Sequence, residues 1–141
     1  MNKTQNELYR ELFELANSAR SASYSPYSSF SVGAALLCKS GKIYTGMNIE
    51  NSSFTPTVCA ERVAFFRAIA DGEREFSAIA IAGGTSGSEP NESVPPCGVC
   101  RQVMGEFADG DFKIILSGGS EPRVYSLREL LPLGFDKSQL K

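Results

Sequence analysis

The chain reads as an α/β protein, a three-layer α/β/α sandwich around a mixed five-stranded sheet, and three observations predict it. Over residues 43–116, apolar runs of strand length alternate with runs of helix length in the order strand, helix, strand, helix, strand. That order calls for parallel strands joined by helical crossovers. Ahead of it, two apolar runs flank Lys39-Ser40-Gly41-Lys42, a turn signal that makes them an antiparallel hairpin. The first of those runs is apolar on both alternating faces, with Phe30, Val32, Ala34, Leu36 and Cys38 on one and Gly33, Ala35 and Leu37 on the other. A strand of that kind is covered on both sides, hence three layers. At 141 residues the chain, 1–141, is expected to form one domain around one substantial core.

The elements follow in order. Over residues 6–22, Leu8, Leu12, Leu15, Ala16 and Ala19 fall on one helical stripe with charged residues opposite, an amphipathic helix. Ser25-Pro26-Tyr27-Ser28 breaks it, and strands are expected over 30–38 and 43–47. Asn48-Ile49-Glu50-Asn51 and the Ser/Thr run through Thr57 would read alone as a solvated loop; the residues that follow them give the stretch a functional reading. Residues 59–70 are apolar almost all round and are stopped by Asp71-Gly72. So apolar a helix is either central or buried by a neighbouring subunit. A short buried strand is expected over 77–82, and a Gly/Ser/Pro loop over 83–95. A helix lined by Val99, Val103, Met104 and Phe107 comes next and ends at Asp109-Gly110. A strand over 112–116, a fifth at Val124-Tyr125, a short helix over 127–131 and a tail holding Phe135 complete the chain.

Composition narrows the function. A net charge of −2 offers no footprint for nucleic acid, so a small-molecule partner is expected. No apolar run approaches the ~20 residues of a membrane span, and the N-terminus lacks the order of a signal peptide, so the expected compartment is the cytoplasm. The histidine count is zero. Ser-His-Asp and Cys-His hydrolases, H-E-x-x-H proteases and histidine-ligated zinc sites are thereby excluded. Acid–base work must fall to a carboxylate, Lys, Tyr or Cys. Four cysteines in such a chain favour metal or redox chemistry over a disulfide framework.

Two stretches carry the chemistry. Val58-Cys59-Ala60-Glu61-Arg62 and Pro96-Cys97-Gly98-Val99-Cys100-Arg101-Gln102 each sit where a helical pattern begins. The C-x-x-C alone leaves a redox dithiol, a structural zinc and a catalytic zinc open. The upstream Cys-Ala-Glu shifts the balance: Cys59, Cys97 and Cys100 can hold a tetrahedral Zn2+, one per subunit, and leave its fourth position open, the mark of a catalytic site. Glu61 is then the candidate proton carrier, and helix N-termini stabilise the thiolates. Cys38 lies mid-strand in an apolar pattern and reads as core filler, although as a fourth ligand it would make a structural four-cysteine knot. Three thiolates make the metal site negative, so a cation must offset them. Arg62, beside Cys59 and Glu61, is the candidate for that charge compensation through hydrogen bonds to the ligating sulfurs, with Arg101 in reserve.

Val32-Gly33-Ala34-Ala35-Leu36, Asn48-Ile49-Glu50-Asn51, Cys59-Ala60-Glu61-Arg62, Pro96-Cys97-Gly98-Val99-Cys100-Arg101-Gln102 and Leu130-Leu131-Pro132 together resemble the cytidine deaminases of the small, homotetrameric type, in order and over nearly the whole chain. The motif logic, including the three-cysteine variant and the non-ligating Glu, is general to zinc deaminases. The resemblance implies hydrolytic attack at C4 of cytidine or 2′-deoxycytidine in pyrimidine salvage, with loss of ammonia and Glu61 as proton carrier. It also implies that Asn48 and Glu50 bind the ribose 3′-hydroxyl, that Phe30 packs on the nucleoside, and that the Ala60 backbone N–H meets the base carbonyl. By the same resemblance, Phe135 of an adjacent subunit closes over the base. Where many members carry Tyr five residues before the first zinc cysteine, this chain has Phe54, so a hydroxyl at the 5′ end is missing. The competing readings are a related deaminase of a nucleoside antibiotic or an RNA base, and a non-catalytic structural-zinc module. Asn48-x-Glu50 weighs against the first, the acidic balance against the second, and the module leaves Glu61 unused.

Overall fold

The computed structural model describes residues 3–91 and 93–140. Helix α1 (Gln5–Ala19) opens on Thr4, whose hydroxyl accepts from the Glu7 N–H, a side-chain cap that satisfies one of the helix's free donors. A 3-10 turn over Arg20–Ala22 ends it. Then come β1 (Phe30–Cys38), β2 (Ile43–Met47), α2 (Ala60–Ala70), β3 (Phe76–Thr85), α3 (Gly98–Phe107), β4 (Lys113–Leu116), β5 (Arg123–Ser126) and α4 (Leu127–Leu130). The sheet runs in the order β2-β1-β3-β4-β5. The expected mixed five-stranded sheet is present.

Its connectivity is less parallel than the alternation of elements implied. β1 pairs antiparallel with both β2 and β3, and only β3 and β4 are hydrogen-bonded in parallel. β2, β3 and β4 do point the same way, but the crossover through α2 steps over β1. The consequence for the site is unchanged: the chain leaves β2 and β3 at the same edge of the sheet, and those exits lead to Cys59 and Cys97.

Both faces are covered. On one, α1 packs Tyr9, Leu12 and Ala16 against Ala35, Ala78, Ala80 and Ile115. On the other, Ala60, Ala64, Phe65 and Ala68 of α2 and Cys100 and Met104 of α3 pack against Ala34, Leu36, Cys38, Ile79, Ile81 and Ile114. Two glycines set the helix heights. A Cβ at Gly33 would collide with the Ala16 carbonyl, and one at Gly46 with the first turn of α2 at Ala60 and Ala64. Only a bare backbone lets the helices sit this close, and Gly46 thereby fixes the end of α2 that carries the chemistry.

Three local expectations need correction. The buried stripe of α1 is centred on Tyr9, Leu12 and Ala16, while Leu15 is exposed. β3 continues through Gly83 and Gly84 to Thr85, although the paired glycines read as the start of a loop. They are glycines because Phe30, Val32 and Val94 crowd the first and the Glu89 carbonyl and the Arg20 guanidinium crowd the second. Val99 lies on the outer face of α3, and Cys100 takes the buried position.

Candidate metal centre and active site

Cys59 is the N-cap residue of α2 and Cys97 that of α3, and neither side chain makes a capping hydrogen bond. Each thiol is free to turn outward from a helix N-terminus. Cys100 stands three residues into its helix from Cys97, where an N-cap side chain and a first-turn side chain converge. The three Sγ atoms lie within 4.8 Å of one another. Cys59 and Cys97 are 3.7 Å apart and Cys97 and Cys100 3.5 Å. A tetrahedral zinc with ~2.3 Å bonds to sulfur spaces its ligands by ~3.8 Å, so the donor set fits that ion. Cys38 is fully buried in the α2 side of the core, and burial pushes its thiol up to about 11. It is outside the thiol cluster, as a core residue should be.

Glu61 sits in the first turn of α2 and is 5% exposed. Burial raises its carboxyl to about 7, against the pull of its own backbone N–H and of the Cys100 thiol. The glutamate therefore touches the cluster without belonging to its ligand set. Cys59 is drawn down to about 5, first by the hydrogen bond from Cys100, then by Arg62 and Cys97. Cys100, as the partner that donates, is pushed up. Arg62 Nη2 donates to Cys59 Sγ at 3.4 Å, and its buried Nε finds no partner among the described residues. Arg101 is committed elsewhere: it donates to the Pro96 carbonyl at 2.8 Å and to the Leu130 carbonyl at 2.7 Å. Of the two candidate cations, only Arg62 reaches a thiol.

The polar loop is tied directly to this centre. Ile49 and Val58 exchange both backbone hydrogen bonds at 3.0 Å, so Asn48 and Glu50 flank one side of a bridge and Cys59 adjoins the other. Asn48 is buried: Val32 N–H donates to its Oδ1 at 2.9 Å, Ser23 Oγ donates to the same atom at 2.5 Å, and its Nδ2 donates to the Phe30 carbonyl at 2.9 Å. Glu50 lines an open groove with Tyr27, Ser28, Phe54 and Thr57. Its carboxylate is held below the usual range, first by the Ser28 hydroxyl. Phe30 is half-buried at the start of β1, and the Ala60 N–H is one of the free donors at the start of α2.

Phe135 lies apart from these residues, in a cleft with Gly105, Leu131 and Leu133, and is 60% exposed. Within one chain it does not join the thiols. Arg20 escaped the sequence reading altogether. It is buried and donates to the carbonyls of Ser31, Thr85 and Ser88 and to Asn17 Oδ1, which pins the loop running from β3 toward Cys97. A charged residue at the end of an amphipathic helix carries no signal that distinguishes it from a solvated one.

The mixed α/β sheet thus brings two helix N-termini, three thiols at zinc spacing and a buried glutamate to one edge, the layout of a zinc-dependent hydrolase. Comparison with known proteins makes the class specific. Residues 6–116 match the family model described as the cytidine and deoxycytidylate deaminase zinc-binding region. The chain is 44% identical to the cytidine deaminase of Sporosarcina psychrophila over 92% of its length and 93% of that protein. It is 45% identical to that of Halalkalibacterium halodurans over 88% and 91%. The crystal structure of cytidine deaminase from Burkholderia pseudomallei superposes with a TM-score of 0.82 at 42% identity, covering 94% of this chain and 100% of that one. The chain belongs to the cytidine deaminase family, whose zinc-binding region it carries. Among the described residues no helix is long and apolar enough to cross a membrane.

Proposed function

We propose that the chain, acting as one catalytic domain over residues 1–141, hydrolyses cytidine and 2′-deoxycytidine to uridine and 2′-deoxyuridine with release of ammonia, in pyrimidine salvage in the cytoplasm. The observation that carries this is the buried Glu61 beside the Cys100 thiol of a three-thiol cluster at tetrahedral spacing. Cys59, Cys97 and Cys100 would hold one zinc, which would make a water nucleophilic near neutral pH. Glu61 would take one proton from the attacking water and deliver it to N3 of the ring; it would then take the remaining proton from the new C4 hydroxyl and pass it to the amino group, so that the C4 carbonyl forms, the C4–N bond breaks, ammonia leaves and the carboxylate is regenerated. Burial, which raises this carboxyl in the zinc-free protein, makes it a readier proton acceptor.

The remaining residues bind and tune. Arg62 withdraws negative charge from the thiolates through its bond to Cys59. The Ala60 N–H meets the base carbonyl, Phe30 packs on the nucleoside, and Asn48 and Glu50 take the 3′-hydroxyl. An ionised Glu50 at the sugar end and a net charge of −2 disfavour a phosphate-linked polymer as substrate. The exposed Phe135 and Phe66 support a homotetramer in which Phe135 of a neighbouring subunit closes each active site.

The test is the purified protein with cytidine, followed by ultraviolet absorbance and ammonia release. Conversion to uridine with one ammonia per cytidine is expected. A zinc-loaded protein that leaves cytidine and 2′-deoxycytidine untouched would overturn the proposal.

A further inference from the structure

The turn between α1 and β1 is built around the Glu50 carboxylate. The backbone N–H groups of Tyr27 and Ser28 donate to Oε1 at 2.9 and 3.1 Å. With two donors on one oxygen, both its lone-pair directions are taken. Oε2 accepts the Ser28 hydroxyl. That hydroxyl has a fixed polarity, because its oxygen accepts from the Phe30 N–H at 3.0 Å and its single proton is left for Glu50. Oε2 therefore has one lone-pair direction remaining.

Asn48 is oriented as firmly. Val32 N–H can only donate and the Phe30 carbonyl can only accept, so Oδ1 and Nδ2 cannot exchange places. Ser23 fills the second site on Oδ1, and one Nδ2 hydrogen remains. The two side chains together offer one acceptor and one donor, the complement of a single hydroxyl group. Backbone strain marks the same place: Ser29, next to Ser28, has φ 55°, and Phe54, which lines the same groove as Glu50, has φ 62°. Non-glycine residues hold such values where the surroundings enforce them, often at binding sites.

We infer that Ser28 is a positioning residue for substrate selection: its hydroxyl aims Glu50 and leaves the carboxylate one acceptor direction, reserved for a sugar hydroxyl that can donate. The inference rests on the proposed reading that Asn48 and Glu50 face the sugar. Without the Ser28 hydroxyl, Oε2 is free to rotate or to take water. The Phe30 N–H also loses its acceptor, so the wall of the nucleoside site loosens at the same point. Substrates that present no donor there gain nothing from the alignment and are indifferent to its loss.

The experiment uses the zinc-loaded full chain, with kcat and KM measured for cytidine and for 3′-deoxycytidine. Ser28→Ala is expected to raise KM for cytidine roughly tenfold, as for loss of one hydrogen-bond alignment to a charged group, with kcat largely held. The preference for cytidine over 3′-deoxycytidine should shrink by about the same factor, and Ser28→Thr, which keeps the hydroxyl, should restore it. If Ser28→Ala does not fold, Ser28→Cys, with a weak donor of similar size, serves the same comparison. An equal loss on both substrates, or no change on cytidine, overturns the role of Ser28 while the wild type still prefers cytidine. A wild type that handles cytidine and 3′-deoxycytidine alike instead overturns the sugar-end reading, and the role of Ser28 falls with it.

Discussion

Glu61 and Glu50 are the same side chain in two settings, one beside the thiol cluster and one on the groove proposed for the sugar, and their surroundings drive them in opposite directions. Glu61 is buried in the first turn of α2 beside thiols, and its carboxyl is raised to about 7. Glu50 stands on an open groove with three donors around it, and its carboxyl is lowered. In the roles proposed for them, a proton carrier must change charge during the reaction, whereas a recognition group must stay an acceptor throughout. Desolvation makes the first and hydrogen bonding makes the second. The ionisation of a carboxylate here is set less by residue type than by which helix or turn delivers it.

The largest expected effect is at the buried end. Glu61→Gln should cut kcat by more than the ~10²–10⁴-fold typical of one acid–base step, because this carboxylate is used in several, while zinc content by metal analysis stays at the wild-type level. Arg62→Gln should come next, losing roughly 10–100-fold in activity with the metal retained. The acidic limb of its pH–rate profile should move to higher pH, since the nucleophilic water becomes harder to ionise. An unchanged rate and profile would remove Arg62 from its compensating role and leave the helix N-termini to offset the thiolates alone.

The two glutamates should also part company in the zinc-free protein, and here the sign follows from the direction of each shift. Glu61 is raised, so its contribution to stability is present below the ordinary carboxylate value of 4.5 and is lost as pH climbs through about 7. Glu61→Gln removes that loss. Chemical denaturation should find the variant level with wild type near pH 4 and more stable by ~3 kcal/mol at pH 8, at ~1.4 kcal/mol per pKa unit. Glu50 is lowered, so it stabilises above its ordinary value and the contribution disappears as the solution is acidified. Glu50→Gln should therefore be the less stable protein at neutral pH, with the gap closing on acidification. Equal pH dependence in the two variants would break the contrast.

At the open end the smallest effect is expected from Phe54→Tyr. Phe54 is 70% exposed and meets Tyr27 edge-on at 6.1 Å. A hydroxyl added there should lower KM for cytidine by about one hydrogen bond, ~0.5–1.5 kcal/mol, or leave it unchanged. A marked rise in KM would mean that the groove requires an apolar wall.

Much of this was legible in the sequence because it is local. β1 and β2 fall on the expected residues, since an unbroken apolar run and a glycine turn leave one register. The thiols and Glu61 could be placed because N-cap and first-turn positions follow directly from where α2 and α3 begin. What could not be read depends on distant partners. Gly83 and Gly84 look like loop residues until Phe30 and Arg20 are seen pressing on them. Arg20 looks solvated until the carbonyls of Thr85 and Ser88 come to meet it. Ser28 is one of several serines in a breaker segment, and only the fold brings Glu50 into its reach.

If three thiols hold one catalytic zinc beside Glu61, as proposed, metal reconstitution reveals it. The protein, stripped with a chelator under reducing conditions, is titrated with zinc while turnover of cytidine is followed. No activity is expected without metal, followed by a linear rise that saturates at one zinc per chain, with Glu61→Gln binding the same single equivalent and staying inactive. Turnover by the stripped protein, or full zinc binding in Glu61→Gln accompanied by wild-type turnover, would contradict it.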